Sequence, residues 1–188
     1  MNLLTSSRAS LILLITLCCS CFSITFSFYV PGVAPQDFAK GDSVEVKAVK
    51  LTSTKTQLPY EYYNLPIHCK PPEGPKYKSE NLGEILRGDR IASTKYEIKM
   101  DVNEKCKVVC KDIKLTADQS KQLVKRIKDA YHVHLLVDNL PCATKFKMLG
   151  NNEEQYEHGY QLGYISNGKA YLNNHLKFVL KYHSEKSR

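Results

Sequence analysis

Alternating apolar and polar residues recur along the chain beyond residue 40 and predict β-strands. Residues 43–51, SVEVKAVKL, alternate in this way, and the phase of the apolar positions flips after Ala48, which predicts a bulge. Residues 96–102 and 132–137 show the same period of two. Further strands are predicted at residues 144–148, 160–165 and 171–182. The last of these places Leu176, Phe178, Leu180 and Tyr182 on one face.

One segment has helical periodicity instead. Thr116 and Gln119 match a capping box, in which each side chain bonds the backbone of the other residue. The predicted helix runs from there to about Ala130. Its apolar face holds Leu123, Ile127 and Ala130, and the opposite face carries Lys121, Lys125 and Lys128. This spacing is typical of a surface helix packed on a core.

The connections between these segments complete the predicted fold. Asn167-Gly168 separates two alternating runs, which is a strong hairpin signal. Residues 57–75 are rich in Pro and Tyr and predict an ordered or semi-ordered loop rather than a helix. Residues 81–91 predict a short helical turn broken at Gly88, and residues 150–155 a polar loop. Together, these predicted strands, helix and loops favour a mainly β (α+β) fold. We expect an antiparallel β-sandwich-like domain with one amphipathic helix near 117–130.

The long apolar run at residues 11–29 changes the context of everything after it. Arg8 precedes it and small residues follow, which is the layout of a secretory signal peptide. We expect residues 1–27 to be the signal and residues 28–188 to form a domain in the secretory-pathway lumen. The alternative is an uncleaved signal anchor, because a bilayer span needs about 20 apolar residues. Both place the bulk of the chain on the non-cytosolic side.

The oxidising lumen alters how cysteines and charge are interpreted. Four cysteines remain after the leader, and two disulfides in any of three connectivities are open: Cys69, Cys106, Cys110 and Cys142. Cys106 and Cys110 favour a small ring in a turn, whereas a zinc site lacks a second Cys-x-x-Cys pair. The formal charge of +8 indicates solubility or a preference for acidic surfaces. Nucleic acid is not an expected partner in this compartment.

Candidate catalytic and metal-binding groups are sparse. His132 and His134 share one face of a predicted strand and could bind a metal if His158, His175 or His183 supplied further ligands. The simpler interpretation is two histidines on a partly exposed face. The sequence contains no Gly-x-Ser-x-Gly elbow and no nucleophile–base pattern, so we expect no enzyme and no cofactor. A metal-dependent luminal enzyme through the two histidines stays as an alternative.

Arg87-Gly88-Asp89 spells an adhesion tripeptide. An integrin would need it at an exposed loop tip, with the carboxylate free to meet a metal ion. Apolar residues flank it, which favours a tight turn held against the domain instead. Such short motifs recur by chance. A secreted adhesion module that uses this tripeptide is therefore the second functional alternative.

Several collinear stretches resemble one known family. They are FYVPGVAP at residues 28–35, LTS with QLPYEYY within 51–63, ENLGE with LRGDRI within 80–91, and HLLVDNLP at 134–141. EHGYQLG at 157–163 and YLNNHL at 171–176 add to the likeness. Together they resemble the N-terminal luminal region of the nonaspanins, also called the transmembrane 9 superfamily or endomembrane protein 70 family.

The resemblance implies a function without catalysis. Members have a signal peptide, a large luminal domain and nine membrane helices, and this chain stops inside the luminal domain. The family is associated with Golgi and endosomal membranes. It is linked to sorting membrane-protein cargo with glycine-rich transmembrane helices, and to adhesion, phagocytosis and pH control. The resemblance offers no catalytic residues, and Cys142 is not a position that its pattern includes.

Overall fold

The computed structural model describes residues 36–78, 86, 89–148 and 153–184. All described residues belong to one compact unit, Gly32–Arg188. The predicted leader at residues 1–27 therefore lies outside the described residues. Within these ranges, none of the helices combines the length and the apolar character that crossing a bilayer requires.

Ten strands, one α-helix and one 3-10 turn make up the described fold, and the predicted mainly β class is confirmed. The strands are β1 (Ser43–Thr52), β2 (Tyr77–Lys78), β3 (Ile91–Lys99), β4 (His132–Val137), β5 (Leu140–Pro141), β6 (Ala143–Lys147), β7 (Glu154–His158), β8 (Tyr160–Gln161), β9 (Gly163–Ser166) and β10 (Lys169–Leu172). The helix is α1 (Ala117–Lys128), and the 3-10 turn is Tyr62–Asn64.

The main sheet is antiparallel and is organised around β1. Its order is β2-β3-β1-β4-β5, and β8 also pairs with β4. The remaining strands form two hairpins, β6–β7 and β9–β10. The register of β1 against β4 shifts between Ala48 and Leu51. This shift confirms the bulge that the change of apolar phase predicted. Past the bulge, Leu51 faces the core, and Lys50 and Thr52 lie on the other face of the sheet.

Helix α1 packs on the core beside the β9–β10 hairpin. Thr116 and Gln119 form the predicted capping box, in which Gln119 N donates to Thr116 Oγ1 at 3.2 Å and Thr116 N donates to Gln119 Oε1 at 2.9 Å. Leu123 and Ile127 are buried as predicted. Ala130 lies two residues past the helix with φ 54°, so its predicted place on the helical face is wrong.

The core lies between the sheet and α1, and the loop at 57–75 helps to close it. Ala48, Leu51, Val133 and Leu135 of the sheet meet the two buried residues of α1. Tyr62, 6% exposed, and Leu65, 1% exposed, belong to the same cluster. The backbones of Leu51 and Tyr60 exchange hydrogen bonds of 2.8 and 3.0 Å. Tyr62 is buried and Tyr60 and Tyr63 are half-buried, so this loop packs against the core.

Several strand boundaries differ from the sequence pattern, and the predicted strand at 160–165 is divided into β8 and β9. β3 begins at Ile91 and ends at Lys99, earlier at both ends than predicted, because β1 pairs with it from Ala92 to Lys99. The predicted strand at 171–182 stops at Leu172, although Leu176 and Phe178 still pack against the core. The Asn167-Gly168 hairpin is confirmed, with Lys169 opposite Ser166. β7 begins inside the predicted polar loop, at Glu154.

Candidate functional site: the histidine face

Lys50, Thr52, His132 and His134 lie together on the face of the sheet opposite the core, which we call the histidine face. Thr52 pairs with His132 in the β1–β4 register. His132 and His134 alternate with the buried Val133 and Leu135. Because alternate residues of a strand lie on the same face, both imidazoles are on this side. The prediction that these two histidines share a face is confirmed.

Each histidine has a partner in the fold. His134 Nε2 lies 2.7 Å from Thr52 Oγ1. His132 Nε2 lies 3.0 Å from Glu157 Oε1 of β7, which is an ion-pair distance, but the two groups are not aligned for a hydrogen bond. Its Nδ1 lies 3.2 Å from the carbonyl oxygen of Ala130. These contacts connect the sheet to the β6–β7 hairpin. They hold the rings in place, although Nε2 of His132 is buried without a hydrogen bond.

Gly159 makes the close approach of β7 and β8 to β4 possible. It has φ 73°, and a Cβ there would lie 2.3 Å from Val133 O and 3.2 Å from His134 Nδ1. The backbone therefore passes directly against the histidine strand, where only glycine fits without displacement. Burial in this layer lowers the pKa of His134, and His132 and Lys50 lower it further by charge repulsion. The neutral imidazole is thus favoured.

The described part of the chain does not assemble a metal-binding set at this face. No three His, Cys, Asp or Glu side chains among the described residues converge in a way that could hold an ion. His158 is close enough to influence His134 electrostatically. His175 lies instead 3.9 Å from the sulfur of Cys106, and His183 is on the exposed C-terminal segment. Of the three candidate additional ligands, His158 thus lies near His134, whereas His175 and His183 lie elsewhere.

The adhesion tripeptide falls partly outside the described residues, at Arg87 and Gly88. Asp89 is described, and Lys50 Nζ lies 2.6 Å from its Oδ1 and 2.9 Å from its Oδ2. The Asp89 side chain is only 10% exposed. A carboxylate that is buried and held by a lysine is not free to bind a metal ion at an integrin surface.

The four cysteines are arranged differently from the favoured prediction. Cys69 and Cys110 form a disulfide across 41 residues of sequence. The predicted small ring between Cys106 and Cys110 is therefore wrong for this structure. Cys106 is an exposed free thiol, and Cys142 is a half-buried one whose pKa is raised by burial. The preference for a local ring failed because the fold brings together loops that are distant in sequence.

Sequence reasoning also missed an aromatic cluster around the loop at 57–75. His68 stacks on Tyr62 with ring centroids 3.7 Å apart, and its Nδ1 lies 2.6 Å from Tyr62 O. Burial lowers the pKa of His68 to about 4 and raises that of Tyr62. Tyr131, 2% exposed, places its hydroxyl 2.6 Å from Thr56 Oγ1. The high Tyr content was the available signal, but no spacing identified which rings are buried.

Comparison with known proteins identifies the family. A family model described as Endomembrane protein 70 matches residues 59–188. The mouse Transmembrane 9 superfamily member 4 is 50% identical over 186 residues, covering 92% of this chain and 28% of the mouse protein. Transmembrane 9 superfamily member 10 of Arabidopsis thaliana is 44% identical over 165 residues, covering 84% of this chain and 25% of that protein.

A third relative carries a functional name. Putative phagocytic receptor 1a of Dictyostelium discoideum is 39% identical over 170 residues, covering 84% of this chain and 25% of that protein. No solved structure matches the chain. The chain spans 28% of the length of the mouse relative. Because the family model covers residues 59–188 and the similarity extends along most of the sequence, the chain belongs to the endomembrane protein 70 family, which includes the transmembrane 9 superfamily proteins.

Proposed function

We propose that residues 28–188 form a luminal, non-catalytic domain of a transmembrane 9 protein that acts in the trafficking of membrane proteins. The observation that carries this proposal is membership of the endomembrane protein 70 family over residues 59–188. The site of action is the Golgi and endosomal system. The cargo is membrane protein with glycine-rich transmembrane helices, which the membrane helices of a full-length protein would engage.

The geometry of the histidine face supports a role without catalysis. General acid–base or nucleophilic chemistry needs a group with an unsatisfied bond directed at a substrate position. His134 instead bonds Thr52, and Nε2 of His132, which makes no hydrogen bond, is buried against Glu157 rather than open to a substrate. These contacts use the polar groups of the face to hold the hairpin to the sheet. The remaining role of such a surface is recognition.

A chimera tests the trafficking role. Cells that lack the mouse relative are made to express a chimera of it, in which residues 28–188 of this chain replace its luminal segment. The surface amounts of two reporter proteins are then measured. One reporter has a glycine-rich transmembrane helix and the other a leucine-rich one. We expect the chimera to restore only the first. The control chimera carries Leu65→Ala, which opens a cavity in the core of the luminal domain.

Two results would count against the trafficking proposal. One is full restoration by a mouse protein from which the luminal segment has been deleted. The other is no restoration by a chimera that reaches the same compartment as the mouse protein. The compartment is read by co-staining with Golgi and endosomal markers. Mislocalised chimeras thereby become distinguishable from correctly placed but inactive ones.

A separate experiment tests the leader. The 188-residue chain is expressed in animal cells, and its mature N-terminus is sequenced after carbonate extraction of the membranes. We expect cleavage near residue 27 and recovery of the domain in the supernatant. An intact N-terminus in the membrane pellet would establish the signal anchor instead. Recovery of an uncleaved, reduced chain from the cytosol would remove the luminal assignment altogether.

The phagocytic name of the Dictyostelium relative supports a link to phagocytosis and adhesion through the whole protein. It does not favour adhesion through the tripeptide at residues 87–89, because Lys50 holds Asp89. A cell-attachment assay separates the two routes. Asp89→Glu should leave attachment unchanged, and a loss of attachment with that variant would revive the tripeptide hypothesis.

A further inference from the structure

Cys106 is a free thiol placed close in sequence to a disulfide. It is exposed, and it lies four residues before Cys110, whose sulfur is bonded to Cys69. Residues 102–116 contain no helix or strand, so the backbone between the two cysteines is not held by a ladder of hydrogen bonds. The sulfur of Cys106 lies 3.9 Å from Nδ1 of His175, which is within hydrogen-bond distance for sulfur.

The existing disulfide depends on the docking of the loop at 57–75. Cys69 follows His68, which stacks on Tyr62, and Leu65 is 1% exposed in the core. In an unfolded chain the local pair would be favoured, because loop closure becomes less probable with length. With separations of 41 and four residues, the loop closed by Cys69 and Cys110 is about ten times longer than the one that Cys106 and Cys110 would close. The fold must therefore supply the preference for Cys69.

We propose that Cys106 is an exchange thiol, which displaces Cys69 from its disulfide with Cys110 when the loop at 57–75 undocks from the core. The Cys106 thiolate attacks the sulfur of Cys110, and a Cys106–Cys110 bond forms as the Cys69–Cys110 bond breaks. The electron pair leaves on the sulfur of Cys69, which takes up a proton. One disulfide is broken and one is formed, so no oxidant or reductant is consumed.

His175 has a defined part in this step. Its imidazole contacts the Cys106 sulfur, so it can accept the thiol proton and then return it through solvent to Cys69. The product is a small ring within residues 106–110, and the loop at 57–75 is no longer crosslinked to the segment before α1. The pairing of Cys110 thus reports whether that loop is docked. Cys142 is half-buried between β5 and β6 and has no role.

Disulfide mapping of the full chain tests the exchange. The purified protein is held in degassed buffer without reductant, quenched with acid, alkylated with N-ethylmaleimide and digested with trypsin. Lys107 lies between Cys106 and Cys110, so digestion separates the two cysteines. We expect a small fraction of alkylated Cys69 in the native chain and a severalfold larger fraction in Leu65→Ala. A titration with low urea on the native sequence provides the same perturbation if that variant does not fold.

Three variants identify the participants. Cys106→Ser should abolish the release of Cys69, whereas Cys142→Ser should leave it unchanged. His175→Ala should slow exchange severalfold near neutral pH and have no effect near pH 9, where thiols ionise without a base. Cys69 that stays protected in both Leu65→Ala and low urea would overturn the proposal. So would equal release of Cys69 in the Cys106→Ser variant, or a Cys69–Cys106 product.

Discussion

Gly159 offers a sharp test of how the β7–β8 segment is held against the histidine face. We consider Gly159→Ala. Its φ of 73° lies in the left-handed region, which costs an L-residue about 1–2 kcal/mol. The new Cβ would also lie 2.3 Å from Val133 O, a backbone atom inside the main sheet that cannot turn away. Forcing such a contact to relax costs about 1–3 kcal/mol more.

The matched control is Gly168→Ala in the β9–β10 hairpin. Gly168 has φ 74°, and no heavy atom lies within 4 Å of the position its Cβ would take. Both variants place an alanine at positive φ and so share that backbone cost, but only Gly159→Ala adds the contact with Val133. We therefore expect Gly159→Ala to lower the free energy of unfolding by about 3 kcal/mol and the control by about 1 kcal/mol.

Urea unfolding followed by circular dichroism measures both values, and thermal melts should separate the variants by several degrees, at about 2–4 °C per kcal/mol for a domain of this size. Equal destabilisation of the two variants would refute the reasoning. It would mean that β7 and β8 do not press against the backbone of β4. A chemical shift change at His134 in Gly159→Ala, and none in Gly168→Ala, would independently support the contact.

Three further predictions concern stability. His68, whose pKa burial lowers to about 4, should make the fold less stable in acid, because the unfolded chain takes up a proton below pH 6.5 and the folded chain does not. We expect the free energy of unfolding to fall by about 2 kcal/mol from pH 7 to pH 5 in urea melts. His68→Phe should reduce this pH dependence, and an unchanged pH slope would contradict the reasoning. Thr116→Ala should remove the helix cap and cost about 1 kcal/mol, with Thr116→Ser close to the parent in the same melts. Lys50→Met should leave the Asp89 carboxylate buried without its lysine and cost about 2 kcal/mol, and adding Asp89→Asn should recover part of the loss; if it recovers none, the pair is not the cause.

Local signals explain why much of the fold could be predicted. β4 and the capping box at Thr116 each depend on residues within a few positions of one another. The hairpin at Asn167-Gly168 depends on two residues that accept positive φ, at 49° and 74°. The bulge after Ala48 was also visible, because the pleat converts a change of face directly into a change of sequence phase.

The features that escaped prediction depend on contacts that no local pattern records. The start of β3 is poorly alternating, and its pairing with β1 decides that it is a strand. The run at 171–182 alternates well but lacks a partner strand past Leu172 among the described residues, so alternation there reflects packing of Leu176 and Phe178 on the core. The placement of His132 beside Glu157 likewise depends on where the β6–β7 hairpin lies.

The cysteines show how local and distant preferences compete in this chain. The sequence favours Cys106 with Cys110 because a short loop closes easily. The structure pairs Cys110 with Cys69 because Tyr62 and Leu65 anchor the loop at 57–75, which carries Cys69, in the core. These are two states of one equilibrium, which differ in whether that loop is docked. A core substitution that undocks it should therefore move the disulfide toward the pairing that the sequence alone predicts. Stability of the tyrosine-rich loop and the chemistry of Cys106 are then coupled, and a measurement of either reports on the other.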